Sequence, residues 1–544
     1  MVFRLQKEIG KKTVVYGILA VLLATIVGAI CLNFGTRPLL PSVSASTLRT
    51  FSSQEELENH LRTNQKSPYY KLEVTESPII RLPAGALPSP TYFSTLGGVD
   101  VNTVVPRGGP EYSVTNVQVA GVDEADIVKT DGEYMYVASG NNVTILKAYP
   151  AEEAQVISQI SLNGTLRGIF VNSDRMAVFG ESYFYQPVKA YNVTVKYVVT
   201  TNETIPLPIE QVRIAVYNPM YLTGSEAFIK VYNISDRTKP SVTKEVALNG
   251  SYFSSRMIGD YVYAVTSQPT MWYDSRVLLP TIIFQNETRT IQPTEIYYSN
   301  IPDNSYAFTT IVAINIKLDD SEPVHQTYLL GSASNMYASL NNIYITMLKQ
   351  VPIDTSWTEA TLIYRVHTQD GEIKIEANGE VPGRVLNQFS MDEYNEYFRI
   401  ATTVGQPWSP ENPSRNNLYV LNMNLTIIGR LEGLAPTETI YSARFMGDRS
   451  YIVTFRQVDP FFAIDLQNPY EPKILGSLKI PGYSSYLHPY DENHIIGVGI
   501  DGGKVKISLF DVSNVSDIEE KNYTTDAWAS SPALDDHKAF LFDK

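Results

Sequence analysis

The sequence predicts an all-β fold: a β-propeller with seven recognisable four-stranded blades and a partial eighth, behind an N-terminal transmembrane helix. Three observations carry this. A strand–turn–strand pattern returns along the chain, with Asp or Asn at most of the turns. Where loops are short the returns are about 42–54 residues apart, the length of a four-stranded repeat. The composition suits packed strands, with 44% hydrophobic residues, 36 tyrosines and only 18% charged residues, because aromatic and β-branched side chains fill pleated, buried surfaces.

Taken in order, residues 1–12 carry Arg4, Lys7, Lys11 and Lys12 against Glu8 and read as a cytoplasmic tail. Residues 13–34 are free of charge, enough for the roughly 20 residues a bilayer-spanning helix needs. Positive charge before the span puts the N-terminus inside and the bulk outside the cell. The same stretch read as a signal peptide, with Val43-Ser44-Ala45 at the cleavage site, makes the protein secreted. Residues 35–110 read as a Pro-, Ser- and Thr-rich linker holding one short helix, opened by the capping box Ser53-Gln54-Glu55-Glu56 with Leu57 and Leu61 on one face. Ten Asn-x-Ser/Thr sequons, at Asn142, Asn163, Asn192, Asn202, Asn233, Asn249, Asn286, Asn424, Asn514 and Asn522, are glycosylation candidates in an exterior protein.

Residues 111–544 read as the propeller. Its clearest unit is Tyr441 to Gly482: strands from Ser442 to Met446 and Tyr451 to Phe455 flank a Gly447-Asp448-Arg449 turn, and strands from Phe461 to Leu466 and Lys473 to Ile480 follow, separated by Asn468-Pro469 and Glu471-Pro472. The first hairpin recurs around Asp131-Gly132, Ser173-Asp174, Gly259-Asp260, Asn341-Asn342, Tyr394-Asn395 and Asp491-Glu492. An eighth start is read at Pro532 to Leu534, Asp535-Asp536 and Lys538 to Phe542. Two insertions, residues 181–209 and 269–306, interrupt the repeat.

The run Gly121-Val122-Asp123-Glu124-Ala125-Asp126-Ile127-Val128-Lys129-Thr130-Asp131-Gly132, with Leu386-Asn387-Gln388-Phe389-Ser390-Met391 and Pro481-Gly482-Tyr483-Ser484-Ser485-Tyr486-Leu487-His488-Pro489, resembles secreted or membrane-anchored prokaryotic, archaeal-type β-propeller domains distantly related to WD40 repeats. The resemblance implies a propeller and an exported protein, and brings no activity with it.

Asp123, Glu124 and Asp126 precede an innermost strand, where converging carboxylates offer calcium hard oxygen ligands. The alternative is structural pairing, and Arg256 and Arg444 occupy equivalent first-strand positions. His488, Asp491 and His494 have metal-like spacing, but Asp491 falls in a repeat turn and strand alternation separates the others. The insertions carry aromatic clusters, Tyr183, Phe184 and Tyr185 in the first and Trp272, Tyr273, Tyr297 and Tyr298 in the second, suited to glycan or protein ligands or to packing on the strands beneath. A formal charge of −14 without a basic stripe argues against nucleic acid. A single cysteine, Cys31, excludes an internal disulfide framework. No hydrolase or nucleotide-binding motif is present. The function expected is therefore a cell-surface binding or scaffolding module rather than an enzyme. The competing reading is an extracytoplasmic hydrolase or lyase acting on polysaccharide or peptide at the channel.

Overall fold

The structure, a computed structural model, describes residues 48–64, 115–186, 192–196, 211–215, 221–273, 275–299, 306–353, 356–456 and 459–542. Within them seven sheets of four or more strands follow one another along the chain. Sheet 1 contains Val128–Thr130, Tyr134–Ser139, Asn142–Lys147 and Gln155–Ser161. Sheets 4 to 7 are likewise four-stranded antiparallel meanders, beginning at Ala333, Met391, Thr439 and Tyr483 and ending at Pro382, Leu434, Ile480 and Thr524.

Sheets 2 and 3 are enlarged. Sheet 2, led by Thr165–Asn172, gains the hairpin Thr281–Phe284 and Glu287–Thr290 at its outer edge. Sheet 3, led by Ser251–Ile258, gains Val122–Glu124 on its inner edge. On its outer edge it gains Ile296–Tyr298, parallel to Val324–Gly331, and then Arg49–Thr50. The first insertion runs further than the sequence suggests: the strands Arg175–Gln186 and Tyr221–Asn233 pair along its base, with the hairpin Asn192–Lys196 and Gln211–Ala215 between them.

Alternation explains the stacking. In Arg449–Phe455, Ile452 packs with sheet 5 whereas Tyr451 and Val453 pack with sheet 7, the two-faced burial that a period of two gives a strand between layers. Six core clusters join consecutive sheets, from Tyr136 and Ile145 against Met176 and Phe228 to Phe461 against Phe510. The other face of sheet 1 leaves Val128, Met135 and Val156 exposed, and the matching face of sheet 7 exposes Ile507, Leu509 and Tyr523.

A bulge recurs on the fourth strand of sheets 1, 2, 4, 5 and 6. Beside it the neighbouring sheet's turn docks. Ser158 donates its hydroxyl to Arg237 O, and Lys244 Nζ donates to the carbonyls of Asn315, Leu318 and Ser321. Gly379, Gly429 and Gly476 lie so close to the carbonyls of Leu425, Pro469 and Val515 that a Cβ would collide. The register of sheet 7's fourth strand runs unbroken.

The helix Gln54–Asn64 forms as expected, with Ser53 Oγ accepting from Glu56 N at 3.2 Å. Leu57 and Leu61 are buried with Phe51, Tyr298 and Tyr306. Among the described residues no helix is long and apolar enough to cross a membrane; residues 13–34 lie outside them.

The expected eighth strand pair is not formed. Pro532–Leu534 and His537–Ala539 are single 3-10 turns, capped by the Ser531 and Asp536 side chains. Both caps accept N–H groups that a strand would offer to a neighbour, so this tail leaves the repeat. Sheet 5 differs in the same way: its first strand starts at Met391, because Asn387 caps a turn over Gln388–Ser390.

Candidate functional site

The first strands of sheets 2, 3, 4, 6 and 7 each carry a bulge. Three residues after the bulged position they present Phe170, Arg256, Tyr337, Arg444 and His488, all buried. Shared register thus delivers large side chains to one level. Side chains of sheets 3, 5, 6 and 7 meet there, which places the cluster at the centre around which the sheets are arranged.

Two segments outside the repeat fill this centre. The first is Thr115 to Asp126, which turns at Gly121 (φ 79°) and pairs Glu124 opposite Arg256. Glu124 is 2% exposed. Its Oε1 accepts from Gln118 N at 3.2 Å and from Gln388 Nε2 at 3.1 Å. Its Oε2 stands 3.8 Å from both Arg256 Nη2 and His537 Nε2. Arg256 in turn donates to Gln388 Oε1 at 2.8 Å and Ser255 O at 2.7 Å.

The three carboxylates expected to hold calcium are engaged separately. Asp123 accepts from Lys129 Nζ at 2.6 Å and Glu124 N at 2.8 Å, while Asp126 accepts from Ile127 N at 2.7 Å. The three carboxylates therefore accept from separate sets of protein donors. Among the described residues no group of three or more His, Cys, Asp or Glu side chains is arranged to hold a metal ion.

The second filling segment is the tail. Asn116 Nδ2 approaches Tyr486 Oη (3.0 Å), His537 O (3.3 Å) and Phe540 O (3.4 Å), and Lys538 Nζ donates to Ala125 O. Ser485 Oγ donates to Leu534 O at 2.9 Å, and Ala533 packs with Phe389, Tyr486 and Val498. The His537 imidazole is sealed beneath these contacts. Burial holds its pKa well below the ordinary 6.5, and the positive charges of Lys538, Arg444 and Arg256 act in the same direction.

The sign of the pH effect follows. Below pH 6.5 the unfolded chain takes up a proton that the folded chain refuses, so stability falls as pH drops from 6.5 toward the folded-state pKa. Glu124 and Asp536 each lie 3.8 Å from the ring, and the shift remains downward. Thermal melts between pH 7 and 5 are expected to lose part of their pH slope in His537→Gln, up to about 1.4 kcal/mol per pH unit for one proton. Equal slopes in the two proteins would mean that the ring is not sealed.

The remaining expected site residues are dispersed. Tyr183 is half-buried, its hydroxyl bonded to Glu181 and approached by Arg167 at 2.8 Å. Phe184, Tyr185 and Tyr273 lie on strands, their side chains outside the described residues. Trp272 sits under Arg62, whose guanidinium carbon is 4.9 Å from the ring centroid. Tyr298 stacks on Phe51 at 3.9 Å and donates to Glu56. Tyr297 is the aromatic that reaches open space: it lines a cleft of about 700 Å³ between the outer strands of sheets 3 and 4, with Tyr328, Gln326, Glu372 and Lys374. Its ring lies 5.7 Å from that of Tyr328.

His488 lies against Tyr486 and Phe540, while Asp491 bonds His494 at 2.9 Å in the turn, so this triplet is split. Sequence reasoning found Arg256 as an inward partner but missed Gln118, Gln388 and the tail. Of these only Gln388 left a local signal, the capping residue Asn387 just before it. Among the sequons, Asn163, Asn286, Asn424, Asn514 and Asn522 are exposed and Asn142, Asn233 and Asn249 half-buried. Asn192 is on a strand with its side chain outside the described residues, and Asn202 lies outside them altogether.

Comparison with known proteins gives a family model described as "Beta propeller domain" that matches residues 112–544. An uncharacterized protein of Methanocaldococcus jannaschii is 34% identical over 475 residues, which cover 80% of this chain and 72% of the relative. One of Archaeoglobus fulgidus is 30% identical over 573 residues, covering 92% of this chain and 84% of the relative. Among solved structures, Hsv2 of Kluyvelomyces marxianus matches with a TM-score of 0.32 and 7% identity, covering 72% of this chain and 95% of its own.

Proposed function

The chain belongs to the beta propeller domain family, and we propose that within it this protein is an extracytoplasmic, membrane-anchored binding module that takes a glycan in the cleft beside Tyr297. In this reading the seven sheets are seven blades, and the tail replaces an eighth.

One observation carries the proposal. The centre of the fold is occupied by the chain's own residues, Asn116 to Glu124 from one end and Leu534 to Phe540 from the other. An open concave surface lies at the side, between sheets 3 and 4. Its volume falls in the range of roughly 300–1,000 Å³ usual for small-ligand sites. A tyrosine face offers a sugar ring a rigid apolar platform at low entropic cost, and Gln326 and Glu372 on the lining supply hydroxyl partners. Hydrolysis at the centre fits less well, because Glu124 is enclosed and already bonded to Gln118 and Gln388. Residues 13–34 supply the anchor, and the exposed sequons are the acceptors expected to be occupied.

The test is a glycan array followed by calorimetry on the full chain in membrane vesicles with its bulk outside. Tyr297→Ala is expected to weaken a glycan hit about tenfold or more, as for a buried aromatic anchor. No hit, or affinity unaffected by Tyr297→Ala, removes the cleft from consideration. Turnover of a bound glycan would move the protein to the enzymes, and recovery of the full-length chain in the soluble fraction would contradict the anchor.

A further inference from the structure

Among the described residues, the other arginines and the lysines in and around the centre have acceptors. Arg256 bonds Gln388 and Ser255, and Lys129 bonds Asp123. Arg399 bonds Asp392 through Nε at 3.0 Å and the carbonyl of Gly447 at 2.5 Å. Lys506, almost wholly buried in sheet 7, bonds Pro481 O and Glu520. Arg365 bonds Asn342 Oδ1 at 2.9 Å and Met423 O at 2.9 Å.

Arg444 differs. It stands on the first strand of sheet 6, opposite Tyr451, and is 1% exposed. Among the described residues, none of its three guanidinium nitrogens has a hydrogen-bond partner. It stacks against the Phe389 ring, whose centroid lies 5.1 Å from the guanidinium carbon. The carboxylates that feel its charge, Glu124 and Asp392, are already engaged by Gln118, Gln388 and Arg399.

A guanidinium in this position cannot shed its charge. Burial pulls its pKa down to about 10, still far above neutrality. An uncompensated buried charge is strongly unfavourable, and an aromatic face recovers only part of that cost. Water supplies acceptors for the N–H groups but no countercharge. We propose that Arg444 holds a small monovalent inorganic anion, of halide size, as a structural countercharge at the centre of the fold. The rings of Phe389, Tyr486 and His537, packed 5.7–6.2 Å from one another, restrict the site to a small, desolvated ion and exclude an organic ligand.

The experiment uses bromide as the probe. Crystals of the full chain soaked in sodium bromide are expected to show an anomalous peak within hydrogen-bonding distance of the Arg444 guanidinium. In solution, replacing chloride by gluconate at constant ionic strength should lower the melting temperature of the wild type, with saturation as chloride returns, the signature of an ion that binds only the folded state. Arg444→Met should melt at the same temperature in both salts. A map showing only ordered water at the guanidinium overturns the proposal, and so does a chloride response of equal size in Arg444→Met. If that variant fails to fold, the wild-type bromide map decides alone.

Discussion

Glu124→Ala is expected to destabilise the protein by about 3–5 kcal/mol, the range for removing one partner of a buried charge pair. The deletion strips acceptors from Gln118 N and Gln388 Nε2 and leaves Arg256 without its carboxylate. It also withdraws the negative group nearest the His537 ring. Chemical denaturation of the full chain measures the loss. The double variant Glu124→Ala/Arg256→Met should recover part of it, because an apolar side chain removes the orphaned charge. A loss below about 1 kcal/mol, the scale of exposed ion pairs, would show that water reaches this carboxylate and that the centre is open. The same scale is expected for Asp126→Asn, whose half-buried carboxylate accepts from the neighbouring Ile127 N.

Gly476→Ala tests how the sheets are held together. The added methyl would run into the Val515 carbonyl, in the turn by which sheet 7 docks on the bulged outer strand of sheet 6. The obstacle is backbone on both sides, so rotamer changes bring no relief, and a cost of about 3 kcal/mol is expected, the upper part of the range for overpacking. Gly224 has nothing within 4 Å of its would-be Cβ, so Gly224→Ala should be close to neutral. Thermal melts of both variants provide the comparison; similar shifts would mean that sheet 7 does not dock closely on sheet 6.

The repeat was legible because its signals are local. Asp131 accepts from Tyr134 N at 2.8 Å and Asp491 from Asn493 N at 2.8 Å, as acids in hairpin turns do, and Tyr451 to Val453 alternates between two buried faces. What failed was non-local. Pro532 to Phe542 has the hydrophobic pattern of a blade start, yet Ser531 and Asp536 cap turns, a choice decided by the partners waiting for His537 and Lys538. The hairpin Thr281–Phe284 belongs to an insertion between strands of sheet 3 but pairs with sheet 2, where Asn249 Oδ1 accepts from Thr281 N at 3.0 Å. No periodicity within the insertion announces that register. The separate engagement of Asp123, Glu124 and Asp126 depends on Lys129, Gln118 and Gln388, whose contacts only the fold defines.

The two segments at the centre have a further consequence for cooperativity. Sheets that touch only their neighbours form a one-dimensional array, and such arrays fray from the ends and can melt piecemeal. Here the residues just before sheet 1 and just after sheet 7 are bonded to each other, Asn116 to His537 O and Lys538 to Ala125 O, although the outer faces of those two sheets leave Val156 and Tyr523 exposed. That short strap gives the end sheets a second attachment, so neither can detach without opening the centre, and the stability of the first and last repeats is coupled through a few residues rather than through a shared apolar wall.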